Sequence, residues 1–463
     1  MTRLVLRATL RNIRMWIAAI PLIALTTAVL VAVFSMRTAG QGLQDLEEEE
    51  AGLMDNYTAV ILALTLIAAL AAVGVAVDRA ASRSRQRIGF FAIAGLSPTY
   101  ASTLFYHQVV ALAGLAVLLG LGLGAAMTPG AVELVVWAGA GHVGVIGAVD
   151  AHALVGAGII TMGVSVMASV RGAQVARSVQ PVEAIKALPW TPQRSARPKA
   201  FVALIAAVGA VGAAVACLTI PGRMAFAERP LEAANWVVAL GTTMAGCLAI
   251  LFTLTASAYC PRLIRAWTII LPESHAPTLL LGRRGAAYQA GRSLNAFALV
   301  LVGTLIVGSA MSIYFARSSL DPAGRGWVET RDISAAVQAG VPVAFALVAA
   351  VVTVAITARN RFAEAQTLRL VGATGRQILQ AGFVEAMILA VTASLVGLGG
   401  VVLVALAVGA GISNVAGSPG WPGAYGLDWL VWVAPLGVTV LGMALVTATS
   451  LPSLIRGLRH PMF

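Results

Sequence analysis

Apolar residues run through this chain in long unbroken blocks, without the strict alternation of a strand or the one-sided stripe of a soluble helix. Ten blocks stand out, at residues 15–35, 57–77, 105–127, 153–170, 201–220, 236–258, 294–315, 340–358, 383–409 and 430–450. A helix rising 1.5 Å per residue needs roughly 20 apolar residues to cross the hydrocarbon of a bilayer. Lipid offers backbone groups no hydrogen bonds, so each block must satisfy its own as a helix. The pattern predicts an all-α polytopic membrane protein of about ten spans.

The polar intervals carry the remaining information, and 359–385 carries the most. It reads RNRFAEAQTLRLVGATGRQILQAGFVE. Arg361, Glu364 and Arg369 recur at helical spacing. Gly372-Ala373-Thr374-Gly375 then breaks the helix, and Thr374 is suited to cap the next one, which leads into a span. The interval 82–108 repeats this design at a constant shift of 277 residues. Gly95 falls on Gly372, Leu96 on Ala373, Ser97 on Thr374 and Pro98 on Gly375. Ser97-Pro98 is a start signal in itself, a cap followed by proline at the first helical position. The same shift lays Gly120 and Gly122 on Gly397 and Gly399. A turn and a downstream glycine pair agreeing at one offset point to an internal duplication.

The expected organisation is an interfacial helix at 1–14, a first four-span repeat over 15–190, a linker with spans five and six over 191–275, and a second four-span repeat over 276–463. Two extra spans between the copies let both share one orientation, which gives a pseudo-twofold along the membrane normal. The interfacial helix places Arg3, Arg7, Arg11 and Arg14 on one face, suited to snorkelling into headgroups. The first block is long and no small-residue cleavage site follows it, so a cleaved signal peptide is not expected.

Composition agrees: 59% of residues are hydrophobic, 11% are charged, and mean hydropathy is +0.88. The net charge of +12 is a matter of placement. With the N-terminus inside, the inner segments hold Arg3, Arg7, Arg11, Arg14, Arg79, Arg83, Arg85, Arg87, the 171–199 and 262–292 groups, the four arginines of 359–376, Arg456 and Arg459. These are 25 of the 31 basic residues. This bias puts both termini in the cytoplasm and the basic segments against anionic lipid, and makes nucleic acid a poor partner.

The first outer loop contains Glu47, Glu48, Glu49 and Glu50, which read either as an acidic lip that concentrates cationic substrates or as a solvated helix start favoured by its dipole. The second carries Arg317, Arg325 and Arg331, whose opposite sign suits pairing between the loops. Cys217, Cys247 and Cys260 show no metal-ligand spacing and read as small packing residues. Six tryptophans, among them Trp236 and Trp432, suit an aromatic belt at the outer interface. The span interiors hold essentially no charge, with Glu385, its counterpart Gln108 and His107 at the cytoplasmic mouths. That argues against an ion-coupled carrier.

No phosphate-cradling glycine loop precedes a lysine, and no hydrolase or metalloprotease signature occurs. Chemistry is therefore not expected in this chain. Arg361, Glu364, Leu368, Arg369, Gly372, Ala373, Thr374, Gln377 and Ile378, followed by Glu385, resemble the R-x-x-E-x-x-x-L-R-x-x-G-A-[ST]-x-x-Q-I motif of FtsX-like permease domains. These are the membrane subunits of MacB-type (type VII) ABC transporters. Pro181-Val182-Glu183-Ala184-Ile185 resembles the family's closing P-x-x-A-[LI]. The first copy departs from the motif: Arg87 stands at the position of Glu364, Ala92 at that of Arg369, and Gln108 at that of Glu385.

The resemblance implies a permease in a bacterial plasma membrane, served by two copies of a separate ABC ATPase that holds the ATP and Mg. This chain would bind no cofactor or metal of its own. The ATPases would dock on the second element through Arg361, Glu364, Leu368, Arg369, Gly372, Ala373, Thr374 and Gln377. On the first they would meet Arg83, Arg87, Phe91, Gly95, Leu96, Ser97 and Pro98. Their closure would tilt the spans and extrude or extract an amphipathic antibiotic, antimicrobial peptide or lipid. The ten-span plan resembles bacitracin-resistance permeases, but the loop between spans seven and eight has only about two dozen residues and leaves no room for their large outer domain. The rival reading is a substrate-free transmitter that acts on a wall hydrolase or sensor kinase.

Overall fold

The computed structural model describes residues 19–41, scattered helical positions between 59 and 77, residues 95, 97–137, 149–177, 196–219, 230–270, 277–319, 367–415, and 431–444 save two positions. Among these residues all regular structure is helical. The elements are α1 (Ala19–Gln41), α2 (Pro98–Trp137), α3 (Ala151–Arg177), α4 (Ala196–Thr219), α5 (Pro230–Trp267) with a 3₁₀ turn at Thr268–Ile270, α6 (Pro277–Ser318) and α7 (Gly375–Val415). Each of the seven contains a stretch long and apolar enough to cross a membrane, and a shorter apolar helix lies at Val431–Leu441. The protein is an all-α polytopic membrane protein. Of the ten predicted spans, 340–358 lies outside the described residues, and 57–77 and 430–450 are described only in part.

The helices overrun the predicted spans. The apolar block 105–127 lies inside a 40-residue helix, and 383–409 inside one of 41. Hydropathy marks where lipid is, whereas a helix ends where its backbone is capped or broken, and both of these start at such a signal. Pro129 and Pro261 are accommodated inside α2 and α5. Arg317, predicted to stand in a loop, is instead in the last turn of α6, where the dipole favours a cation.

The chain divides into two compact units, 1–195 and 196–463. In the first, α1 packs along α2 and also meets α3. In the second, α6 and α7 form the most extensive pair, α5 packs on both, and α4 lies against α5 and α7. The most enclosed spans are α1, with 72% of its apolar window buried, and α6, with 83%. Each is the core of its own unit. The outer helix α4 is only 22% buried, so most of its Ala-, Val- and Leu-rich surface is left for lipid.

Close approach within each main pair depends on glycine. A methyl group added at Gly120 would fall on the Ala24 carbonyl oxygen and the Thr27 Cβ of α1. One added at Gly397 would lie 2.9 Å from the Thr304 Cβ and 3.3 Å from the Leu301 oxygen of α6. All three residues of the first contact map onto the second by adding 277. Lipid tails are as apolar as the helix surface, so close packing of this kind is a main source of span–span cohesion. Gly122 and Gly399, the other members of the glycine pairs, face open space.

The second unit also pins its extra helices with polar contacts. Trp267 at the end of α5 donates its indole N–H to Thr392 Oγ1 of α7 at 2.9 Å. Arg283 Nε of α6 donates to Thr268 Oγ1 of the 3₁₀ turn at 3.1 Å. Gly400 of α7 receives Leu305 of α6 and Phe252 of α5. At the corresponding place in the first unit, Leu123 is about half exposed.

Candidate functional site

The turn before α7 is built from three local devices. Residues 367–370 form a short helical turn that ends with Gly372 at φ +94°, a left-handed conformation that penalises any Cβ. The Ala373 N–H bonds back to the Leu368 carbonyl at 3.1 Å, and the Gly372 N–H to the Arg369 carbonyl at 3.0 Å. These two bonds close a Schellman motif over carbonyls that the ending helix leaves unpaired. Two residues on, the Thr374 hydroxyl accepts the Gln377 N–H at 3.3 Å, while the Gln377 side-chain oxygen accepts the Thr374 N–H at 2.9 Å. That reciprocal pair is a capping box. Leu368, Ala373 and Leu379 pack around the buried Ile378, which staples the two helices together across the turn.

The arrangement gives five of the predicted site residues a definite place. Leu368, Gly372, Ala373, Thr374 and Gln377 each hold the turn. Gly372 and Thr374 are exposed as well as structural, and beside them Arg369, Leu370, Val371 and Arg376 are exposed. Leu370 is 74% exposed and Val371 82%, a large apolar pair for an aqueous turn. Sequence reasoning passed over both, because they occupy the variable positions of the motif. Their signal was available: two aliphatic residues between arginines, directly before a turn glycine. Arg361 and Glu364 lie outside the described residues.

The turn before α2 shares the left-handed glycine and the hydroxyl cap. Gly95 takes φ +87° and has nothing within 4 Å of where a Cβ would be, so its glycine answers to backbone conformation alone. Ser97 Oγ accepts the Tyr100 N–H at 3.3 Å, and Pro98 opens the helix, where its missing N–H leaves nothing unpaired. Tyr100 stands where Gln377 would close the box, so the Ser97 N–H has no glutamine-like side-chain acceptor at that position. Arg83, Arg87, Phe91 and Leu96 lie outside the described residues, as does the acidic run Glu47, Glu48, Glu49 and Glu50.

Glu385, expected at the mouth of its span, is buried to 5% exposure in the third turn of α7. It faces a notch in α6: a Cβ at Gly285 would lie 3.6 Å from its Oε2, and Gly282 one turn earlier receives Val384 and Ala381. The start of α6 thus runs along the start of α7 at glycine distance, with a carboxylate enclosed between them. Its counterpart Gln108 is half-buried, and neighbouring His107 is exposed with Nδ1 2.8 Å from the Thr103 carbonyl oxygen. Among the described residues no three His, Cys, Asp or Glu side chains come together as metal ligands would.

The arrangement is an exposed, capped turn at the start of a long apolar helix that packs along a second one. Residues 336–462 match the family model described as FtsX-like permease C-terminal, a stretch that contains the whole capped turn, α7 and Glu385. No curated protein matches the chain.

Proposed function

We propose that this chain, whose residues 336–462 match the FtsX-like permease C-terminal model, is a membrane permease subunit of an ABC-type system that works by mechanotransmission in a MacB-type exporter. Two copies of a separate ABC ATPase, which hold ATP and Mg, dock on the segments 83–99 and 361–377 at the cytoplasmic face of a bacterial plasma membrane. Their closure moves the turns, and the turns move α2 and α7. The cargo is an amphipathic antibiotic, peptide or lipid taken from the bilayer.

The observation that carries this reading is the capped turn itself. Capping box, Schellman motif and staple together fix the direction in which Leu370 and Val371 project. Two apolar side chains held rigidly between Arg369 and Arg376 suit an apolar groove with an acidic rim on a partner protein. A flexible loop would absorb a push, whereas this one passes it to α7 at Gly375.

Purification of the intact permease from its native membrane tests the assignment. A stoichiometric ATPase, two per permease, is expected to accompany it and to be lost when Leu370→Asp and Val371→Asp are introduced together. An ATPase retained by that variant would refute docking through the tip. ATP turnover that responds to a hydrophobic ligand supports export. Turnover that responds only to an outer protein partner supports the substrate-free transmitter.

A further inference from the structure

The main helix pair of each unit contains one contact in which the two partners have exchanged roles. In the first unit Val31 of α1 fills the space left by Gly124 of α2. A Cβ at Gly124 would lie 2.6 Å from the Val31 Cβ and 2.9 Å from the Ala28 carbonyl oxygen. In the second unit the glycine is on the other helix. Gly308 of α6 receives Val401 of α7, and a Cβ there would overlap the Val401 Cγ2 and lie 3.0 Å from its Cγ1. Adding 277 to Val31 and Gly124 gives Gly308 and Val401. The valine and the glycine have changed sides at one level of the same contact.

The neighbouring level is not an exchange. The second unit seats Leu305 of α6 on Gly400 of α7, with the leucine Cδ1 2.6 Å from where a Cβ would stand. The corresponding residues of the first unit are Ala28 on α1 and Leu123 on α2, and Leu123 is about half exposed. The Gly120 and Gly397 contacts are alike in both units and cannot tell one pair from the other.

We infer that this reversed contact is a pairing code: it makes α1 fit α2 and α6 fit α7, and makes the exchanged pairs misfit. Pairing α1 with α7 would oppose Val31 to Val401 at helices held at glycine distance. Pairing α6 with α2 would oppose Gly308 to Gly124 and leave a void. Helix pairs in lipid are held largely by such packing, so two clashing valines or two facing glycines both weaken association. A chain with two similar halves meets this problem during insertion, when four related spans are present together. The partner each half accepts is therefore its own, by shape.

The test uses the full chain in detergent or nanodiscs, with its three native cysteines replaced. Gly124→Val alone, and Gly308→Val alone, are each expected to lower the ratio of folded to unfolded chain roughly tenfold or more, since an interface is overfilled. The double G308V/V401G is expected to recover most of that loss, and V31G/G124V a smaller part, because the Ala28 backbone still lies 2.9 Å from the new Cβ. Doubles no more stable than the singles would overturn the complementarity. V31G/G124V also gives both units the same code. A reporter cysteine at the Gln41 end of α1 is then expected to crosslink to the Val415 end of α7 as well as to the Trp137 end of α2. Exchanging both codes, in the fourfold variant, is expected to abolish the α1–α7 product. An identical crosslink pattern in all three chains would show that shape at these positions does not choose the partner, and the inference fails.

Discussion

The two turns, one before α2 and one before α7, share a left-handed glycine and a hydroxyl-capped helix start and differ in the side chains around them. Only the second closes the capping box, and only the second has the glutamate and arginine of the motif, at Glu364 and Arg369. The shared part is what a chain needs in order to reverse between helices. The unshared part is what a partner would feel. The difference separates what shapes the turn from what the proposed docking would use, and on that proposal the second turn would have the firmer grip.

The largest effect should come from charge. Glu364→Lys is expected to lower partner-stimulated ATP turnover at least about tenfold, the scale of breaking a close charge pair at an interface, with the permease still folded. Arg87→Glu, at the matching position, should leave most turnover. Equal losses from both would remove the asymmetry between the turns. Next comes packing, where the units should behave alike. Gly120→Ala and Gly397→Ala each force a methyl onto a neighbouring helix and should cost about 1–3 kcal/mol in unfolding assays. A cost at one position only would break the correspondence between the units. The smallest effect separates the caps. Thr374→Ala should destabilise its helix start by about 1 kcal/mol, and Ser97→Ala by about 0.5 kcal/mol. Amide exchange at Gln377 and Tyr100 reads the two directly, and the reverse order would contradict the account of the box.

The turn could be read from sequence because every signal in it is local. Gly372, Thr374 and Gln377 act on each other within six residues, so spacing alone specifies the geometry. The glycine pairs were legible only in part. Gly120 and Gly122 look alike along the chain, yet one meets α1 and the other faces open space, and only the packed pair shows which. Leu370 and Val371 were missed because apolar residues in an apolar chain draw no notice until their exposure is known. The burial of Glu385 was not legible, because the glycine notch of α6 that encloses its carboxylate is far from it in sequence. The polar anchor from Trp267 to Thr392 spans 125 residues and has no local signature at all.

The capped start of α7 has a consequence for how the protein meets membranes of different thickness. At 1.5 Å per residue its 41 residues reach about 60 Å, roughly twice the hydrocarbon depth of a bilayer. A thicker or thinner bilayer therefore need not stretch or unwind it. Because the Gly375 end is locked by bonds that involve no lipid, adjustment falls to tilt and to the far end at Val415. The turn keeps its register while the bilayer varies around the helix, as a surveyor's fixed stake does while the ground level shifts.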